Sequence, residues 1–303
     1  MIETTEQLLA RGWSYAEIRQ RVRDGALHRL ARGSYSDQNP ARLNPDERHL
    51  QLVTGLYGGL TEGSVLSHAS AGVLHGLWLP VEQLTRVHVA RPGARDSQGR
   101  RVHIHPLPEC AVVDPVQRLG SEPARMTDLC TTTLALVSTL ELPAAVAVAD
   151  SALRQGLDRQ AALDVVSGWK PRPGRRRARL ALEFANERSE SAGESRSRWL
   201  MHELGLPAPV LQQEFANENG EWIARADFWW PEQGVIGEFD GKVKYGRLLK
   251  PGQRIEDIIE AERERERALQ NLGHWVTRWT WRTLDVPSEF AKQLRRALAR
   301  GPR

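Results

Sequence analysis

The chain has 303 residues, which exceeds one ordinary compact domain, so at least two domains are expected. Hydrophobic residues make up 40% and charged residues 26%, which excludes a wholly disordered chain, and a net charge of +4 permits a nucleic-acid partner. No apolar run approaches the roughly 20 residues that span a bilayer, and the N-terminal stretch lacks a signal-like leader, so we expect a cytoplasmic protein without a membrane partner. The two cysteines, Cys110 and Cys130, form no CxxC pair and are expected to be reduced thiols.

Residues 1–40 have the pattern of a winged helix-turn-helix. A short helix is predicted to end at Gly12, and Ser14 and Glu17 form an S-x-x-E capping box at the start of a second helix. Residues 26–30 and 34–36 predict two strands around a tight turn, the wing. In such a fold the second helix reads base edges and the wing contacts phosphate, although any basic amphipathic helix would carry similar residues. The predicted DNA-binding residues are Arg19, Gln20, Arg23, Arg29 and Arg32.

Residues 41–168 predict a small α+β middle lobe. Residues 46–77 and 127–168 have helical spacing of apolar residues, whereas 85–92 and 101–106 alternate like strands joined by a glycine-containing loop.

The histidines of this half are paired along the chain: His68 and His75 are seven residues apart on one predicted helix face, and His103 and His105 alternate on one predicted strand. No carboxylate motif accompanies them, so structural histidines are expected.

Three stretches of this half resemble the winged-helix region of AbiEi-type antitoxins, the antitoxin half of certain bacterial phage-defence toxin–antitoxin pairs. They are SYAEIRQRVRDGALHRLARGSY (14–35), LSHASAGVLHGL (66–77) and VHVARPG (87–93). The resemblance covers roughly residues 5–155. It implies an autoregulatory DNA-binding head, and an antitoxin role would require a cognate toxin as partner.

The stretch KPRPGRRRAR (170–179) contains two prolines, one glycine and six basic residues. Such a composition indicates a boundary, so residues 169–190 are predicted to be a basic linker or helix. Its charges fit a solvated helix start and a contact with the DNA backbone equally well.

The C-terminal domain, residues 191–303, alternates helical and strand patterns. The predicted order is helix 191–204, strands 210–215, 222–230 and 234–240, helix 255–272, strand 275–281 and helix 286–299.

Three carboxylates are predicted to converge in this domain. The turn Pro231–Gly234 folds one strand back on the next, which sets Asp227 near Gly237 or Glu238, and Asp240 lies two residues beyond Glu238 on the same strand face. Carboxylates so close repel one another unless a cation lies among them, and Mg²⁺ or Mn²⁺ prefers such oxygen ligands. These metals orient water for phosphodiester hydrolysis. Exposed strand edges also carry charges without any catalytic role.

The same region resembles the very-short-patch-repair-like domains of the PD-(D/E)XK nuclease superfamily. The matching residues are Ser191-x-x-Glu194, LGLPAP (204–209), ARADFWWPE (224–232), GEFDGKVKYG (237–246), RERALQNLG (265–273) and VTRWTW (276–281). The resemblance implies an αβββαβ restriction-endonuclease-like core, a metal site and DNA as substrate, with a role in bacterial defence or DNA repair.

Carried over residue by residue, Asp227 takes the place of the first acid of the motif and Glu238 that of the second. The lysine position of the motif holds Asp240 instead. Two registers are possible. In the first, the motif is Glu238-x-Asp240, and its lysine is lost or replaced by Lys242 or Lys244; in the second, the motif is Asp240-x-Lys242. The first is favoured because the hairpin pairs Glu238 with Asp227. Both lysines are candidates to hold the attacking water or to stabilise the transition state.

Glu194 and Arg265 each have two interpretations. Glu194 could complete the catalytic site, or form a capping box with Ser191, or both. Arg265, like Arg278, could contact phosphate, or belong to a solvated helix face paired at i,i+4.

Three functions therefore remain open: a Mg²⁺-dependent DNA endonuclease, an antitoxin-like regulator with a degenerate nuclease fold, and a scaffold of a defence system. The sequence predicts no oligomeric state.

Overall fold

The computed structural model describes residues 1–109, 111–119, 122–241, 264–265 and 267–301. This part of the chain is mixed α/β with three sheets and divides into two compact units, Met1–Phe184 (unit 1) and Ala185–Arg303 (unit 2). The division falls inside the stretch 169–190. Among the described helices, none combines the length and the apolar character that crossing a membrane requires.

Unit 1 begins with a three-stranded antiparallel sheet and two short helices, here called the head. Its elements are β1 (Ile2–Thr4), α1 (Thr5–Ala10), α2 (Tyr15–Arg23), β2 (His28–Ala31) and β3 (Ser34–Ser36), with strand order β1-β3-β2. The predicted capping box of Ser14 and Glu17 is confirmed at the start of α2. Leu8, Ile18 and Leu27 form a small core beneath the two helices.

A six-stranded sheet follows in unit 1, in the order β6-β7-β5-β4-β9-β8. The elements are α3 (Pro45–Tyr57), β4 (Val65–Leu66), α4 (His68–Leu74), β5 (Val87–Arg91), β6 (Ser97–Gln98), β7 (Val102–Pro106), β8 (Val113–Leu119) and β9 (Glu122–Thr127). The expectation of helix throughout 46–77 is wrong, because the buried pair Val65 and Leu66 joins the sheet as β4. Strands β5 and β7 run parallel.

Four helices complete unit 1: α5 (Leu129–Thr139), α6 (Leu142–Arg154), α7 (Arg159–Gly168) and α8 (Arg175–Phe184). Residues Ala145–Ala152 of α6 are all buried, which makes it the central helix of the group. The second half of the basic stretch forms α8, which contacts the other three helices.

Unit 2 contains α9 (Ala192–Glu203), β10 (Val210–Ala216), β11 (Trp222–Trp230), β12 (Val235–Phe239), β13 (Trp275–Trp279), α10 (Trp281–Leu284) and α11 (Pro287–Leu298). Strands β10, β11 and β12 are antiparallel neighbours, and β13 pairs with β12 in parallel. Residues 267–271 are helical, and most of the predicted helix 255–272 lies outside the described residues. Trp281, expected at the end of the last strand, begins α10 instead, because Thr280 and Thr283 form a capping box there.

The core of unit 2 is aromatic. Phe228, Trp230, Trp279 and Phe290 are almost completely buried in it. The Trp279 indole Nε1 donates a 2.7 Å hydrogen bond to Ser197 Oγ on α9, so β13 is fixed against that helix.

Candidate functional site

A row of polar residues crosses the sheet of unit 2 at one level. The register of β11 with β12 pairs Phe228 with Gly237, so Asp227 and Glu238 are the next positions along the two strands, and β12 pairs Glu238 with Arg278 on β13. On β10, Gln212 lies between the residues paired with Phe228 and Ala226, which is the position across from Asp227. Because directly opposed residues of neighbouring strands point to the same face, Asp227, Glu238 and Arg278 share one face of the sheet.

Glu238, at the centre of this row, is ion-paired with two arginines. The residue as a whole is 9% exposed. Arg265 Nη2 donates to both carboxylate oxygens at 2.8 and 3.0 Å, and Arg278 Nε donates to Oε2 at 2.8 Å. Both carboxylate oxygens of Glu238, which were predicted to bind a metal, therefore accept hydrogen bonds from guanidinium groups. Arg265, which was predicted to contact DNA, contacts Glu238 instead.

The other two predicted metal ligands lie beside Glu238. Asp227 Oδ2 accepts a 2.9 Å hydrogen bond from the backbone N–H of Phe239, and Asp240 follows the end of β12, where its own N–H donates to the carbonyl of Trp279 at 2.8 Å. The carboxylate oxygens of Asp227, Glu238 and Asp240 do not form a group within 4.8 Å of one another, whereas three histidines of unit 1 do.

As they stand, these three acids do not fit a divalent cation. A Mg²⁺ ion needs oxygen ligands at 2.0–2.1 Å that are free to coordinate it, and those of Glu238 accept from arginines. The candidates Lys242 and Lys244 lie outside the described residues.

Glu194 joins the row through Gln212, whose Nε2 donates to Glu194 Oε2 at 3.0 Å. The same carboxylate accepts hydrogen bonds from Ser191 Oγ at 2.7 Å and from the backbone N–H of Glu190 at 2.8 Å. Glu194 therefore also stabilises the start of α9. Burial raises the pKa of Glu194 from its usual value, against these hydrogen bonds. Gln212 has φ 52°, a left-handed conformation that costs free energy in a non-glycine residue. Sequence patterns gave no signal for Gln212.

In unit 1, the predicted DNA-binding residues lie on the surface of the head. On α2 the Gln20 amide donates to Asp24 Oδ1 at 2.8 Å, and Arg23 donates to the Gln20 carbonyl oxygen. Arg29 Nε, on the hairpin, donates to the carbonyl of Ala31 at 3.3 Å. All five predicted residues are exposed: Arg19, Gln20, Arg23, Arg29 and Arg32.

No protein-family model matches the chain. Two relatives are uncharacterized proteins of Mycobacterium tuberculosis, from strain CDC 1551 / Oshkosh and strain ATCC 25618 / H37Rv. Each is 28% identical over 259 residues, which cover 81% of this chain and 90% of the relative. Since neither unit alone contains that share of the chain, the similarity extends into both units.

Proposed function

We propose that this chain is a DNA-binding regulator whose head contacts DNA, and whose unit 2 has a nuclease-like fold without a working hydrolytic centre. The observation that carries the proposal is the exposed polar surface of α2 beside the β2–β3 hairpin. Five exposed residues there are arginine or glutamine, and the helix that carries three of them begins at a closed capping box.

The arrangement of this surface fits base recognition. Arg19 and Arg23 are four residues apart on α2, so both project from one side of the helix, with Gln20 beside them. Arginine pairs with guanine and glutamine with adenine in the major groove. Arg29 and Arg32 on the hairpin are suited to phosphate contacts, which position the head without reading sequence.

The strand arrangement of unit 2 supports a nuclease-like fold. A helix precedes three antiparallel strands, and a parallel fourth strand follows a helical segment, the order that the resemblance to very-short-patch-repair-like domains implies. The pairing of Glu238 with Arg265 and Arg278 favours a domain that no longer hydrolyses DNA. Asp240 at the lysine position of the motif points the same way.

The proposal is tested by fluorescence anisotropy with labelled DNA from upstream of the chain's own coding sequence and with a scrambled fragment. Arg19→Ala/Arg23→Ala is expected to abolish the preference for the upstream fragment. If both arginines contact phosphates as well as bases, the plot of log binding constant against log salt concentration should become less steep by about 1.8 in this variant, which is about 0.9 for each lost phosphate contact. The charge-matched control Arg282→Ala/Lys292→Ala, on the surface of unit 2, is expected to keep the preference. Equal binding by the wild type and the head variant would refute the proposal.

A Mg²⁺-dependent DNA endonuclease is the second candidate, favoured by the position of Asp227 opposite Glu238 with Asp240 on the same strand. Hydrolysis there would require the two arginines to release Glu238. The test is Mg²⁺- or Mn²⁺-dependent cleavage of supercoiled plasmid by the wild type beside Asp227→Asn/Glu238→Gln. Cleavage that only this variant loses, with Glu218→Ala/Glu232→Ala as control, would establish the endonuclease and refute a regulator without hydrolysis.

A further inference from the structure

Four histidines that are distant in the sequence meet beside the six-stranded sheet of unit 1. The parallel pairing of β5 with β7 sets His88 opposite His103, and His105 lies two residues further on the same face of the sheet. His68, the first residue of α4, stacks on His105 with the ring centres 3.6 Å apart. This side-chain cluster belongs to no part of the function proposed above.

Three of these rings bring nitrogen atoms close together. One ring nitrogen each from His88, His103 and His105 lies within 4.8 Å of the other two. His88 Nδ1 and His105 Nε2 are 3.0 Å apart. A tetrahedral ion with metal–nitrogen bonds of about 2.0–2.1 Å separates its ligand nitrogens by about 3.3 Å. To bind an ion, the nitrogens of His88 and His105 would have to separate by about 0.3 Å, and the other nitrogen–nitrogen distances, which are at most 4.8 Å, would have to shorten by up to about 1.5 Å.

A carboxylate orients one of the three rings. His103 Nε2 lies 2.6 Å from Asp96 Oδ1, so the ring, with its proton on Nε2, donates a hydrogen bond to the carboxylate. A proton on Nε2 leaves Nδ1 as the electron-pair donor of the ring. Metal-binding histidines commonly have such a carboxylate partner, which fixes the tautomer and increases the basicity of the ligand.

Two of the three rings are shielded from bulk solvent. His88 is 6% exposed and His105 is 8% exposed.

Space for a further ligand adjoins the cluster. The three rings and His68 line a cavity of about 340 Å³. His68, Asp96 and His105 also line a second cavity of about 1060 Å³ with mostly apolar walls. His68 has φ 46°, a strained conformation for a residue with a side chain and one that clusters at functional sites. Three protein ligands beside an accessible cavity are the arrangement of a zinc site with an open coordination position.

We infer that His88, His103 and His105 bind a divalent transition-metal ion of the zinc type, with Asp96 positioning His103 and a fourth coordination position open to the cavity. Imidazole nitrogen suits Zn²⁺ and its neighbours in the first transition row, whereas Mg²⁺ and Ca²⁺ prefer oxygen. The site is independent of the acids of unit 2.

The test is titration of the chelator-treated full chain with Zn²⁺ by isothermal calorimetry, and with Co²⁺ by visible absorption. We expect one Zn²⁺ per chain and the Co²⁺ bands of nitrogen ligation. His103→Gln is expected to weaken binding at least tenfold, and Asp96→Asn, a substitution at an exposed side chain that leaves the core intact, about tenfold or more. His202→Gln, an exposed histidine of unit 2, is the matched control and should bind as the wild type does.

Absence of a stoichiometric Zn²⁺ site in the wild type would overturn the inference. So would unchanged affinity in both Asp96→Asn and a His103→Gln variant whose circular dichroism is native. If His103→Gln fails to fold, Asp96→Asn and the Co²⁺ spectrum decide. Asp227→Asn/Glu238→Gln is expected to leave Zn²⁺ binding unchanged, and loss of binding in that variant would place the site in unit 2 instead. DNA binding is measured separately, so either proposal can fail alone.

Discussion

Substitution of Glu238 by glutamine distinguishes a structural ion pair from a carboxylate kept for catalysis. The two partners of Glu238 are 24% and 33% exposed, whereas the acid itself is 11% exposed by side chain. Exposed ion pairs contribute about 0.2–1 kcal/mol, and breaking a fully buried one costs about 3–5 kcal/mol. This pairing lies between those limits, so Glu238→Gln is expected to lower the free energy of unfolding by about 2 kcal/mol. The amide also places N–H groups against guanidinium donors.

The assay is urea unfolding of the full chain followed by tryptophan fluorescence, with Glu232→Gln, an exposed acid of the same unit, as the control expected to change little. A double-mutant cycle with Arg278→Gln should give a coupling free energy of about 1 kcal/mol between the two side chains. A Glu238→Gln variant as stable as the wild type, or more stable, would contradict a stabilising role for the pairing of Glu238 with the two arginines. A variant more stable than the wild type would indicate that Glu238 is retained for activity at a cost in folding stability, which would favour the endonuclease.

Three further predictions concern single residues. Gly237→Ala should destabilise unit 2 by about 1–3 kcal/mol in the same urea assay, because a Cβ there would lie 2.6 Å from the Trp279 ring; an unchanged midpoint would contradict this packing. Glu194 binds its proton more tightly in the folded chain, so its contribution to stability is lost as pH rises from 4.5 through the raised pKa. Glu194→Gln should remove that part of the pH dependence, and parallel stability–pH curves would contradict it. Burial raises the pKa of the Cys130 thiol to about 11. Because the thiolate is the reactive form, the rate of alkylation by iodoacetamide, measured by mass spectrometry, should increase about tenfold per pH unit from pH 8 to 10. A rate that stops increasing above pH 9 would contradict the raised pKa.

The elements that could be predicted from the sequence have local signals. The capping box at Ser14 marks the start of α2, and Gly33, with φ 76°, permits the tight turn between β2 and β3. The turn after Pro231 likewise sets β11 against β12 in the predicted register. Strand β1 was not predicted, because three residues that pair only with β3 leave no periodicity to detect.

The contacts that decide the chemistry are not local. Glu238 meets Arg265 and Arg278 only once β13 has paired with β12 in parallel, and no spacing along the chain indicates this partnership. The histidine cluster depends in the same way on the parallel pairing of β5 and β7, which brings together His88 and His103. Sequence patterns therefore predicted the acids, and named Arg265 and Arg278 as candidates for phosphate contacts, but did not predict that both arginines pair with Glu238.

DNA binding without hydrolysis is tested most directly by incubating a labelled upstream DNA fragment with the wild type and Mg²⁺, and by running the sample on a native gel and on a denaturing gel. We expect a shifted band on the native gel, which Arg19→Ala/Arg23→Ala loses, and full-length strands on the denaturing gel. An unshifted fragment would contradict DNA binding by the head, and metal-dependent shortening of the strands would contradict a nuclease-like fold without hydrolysis.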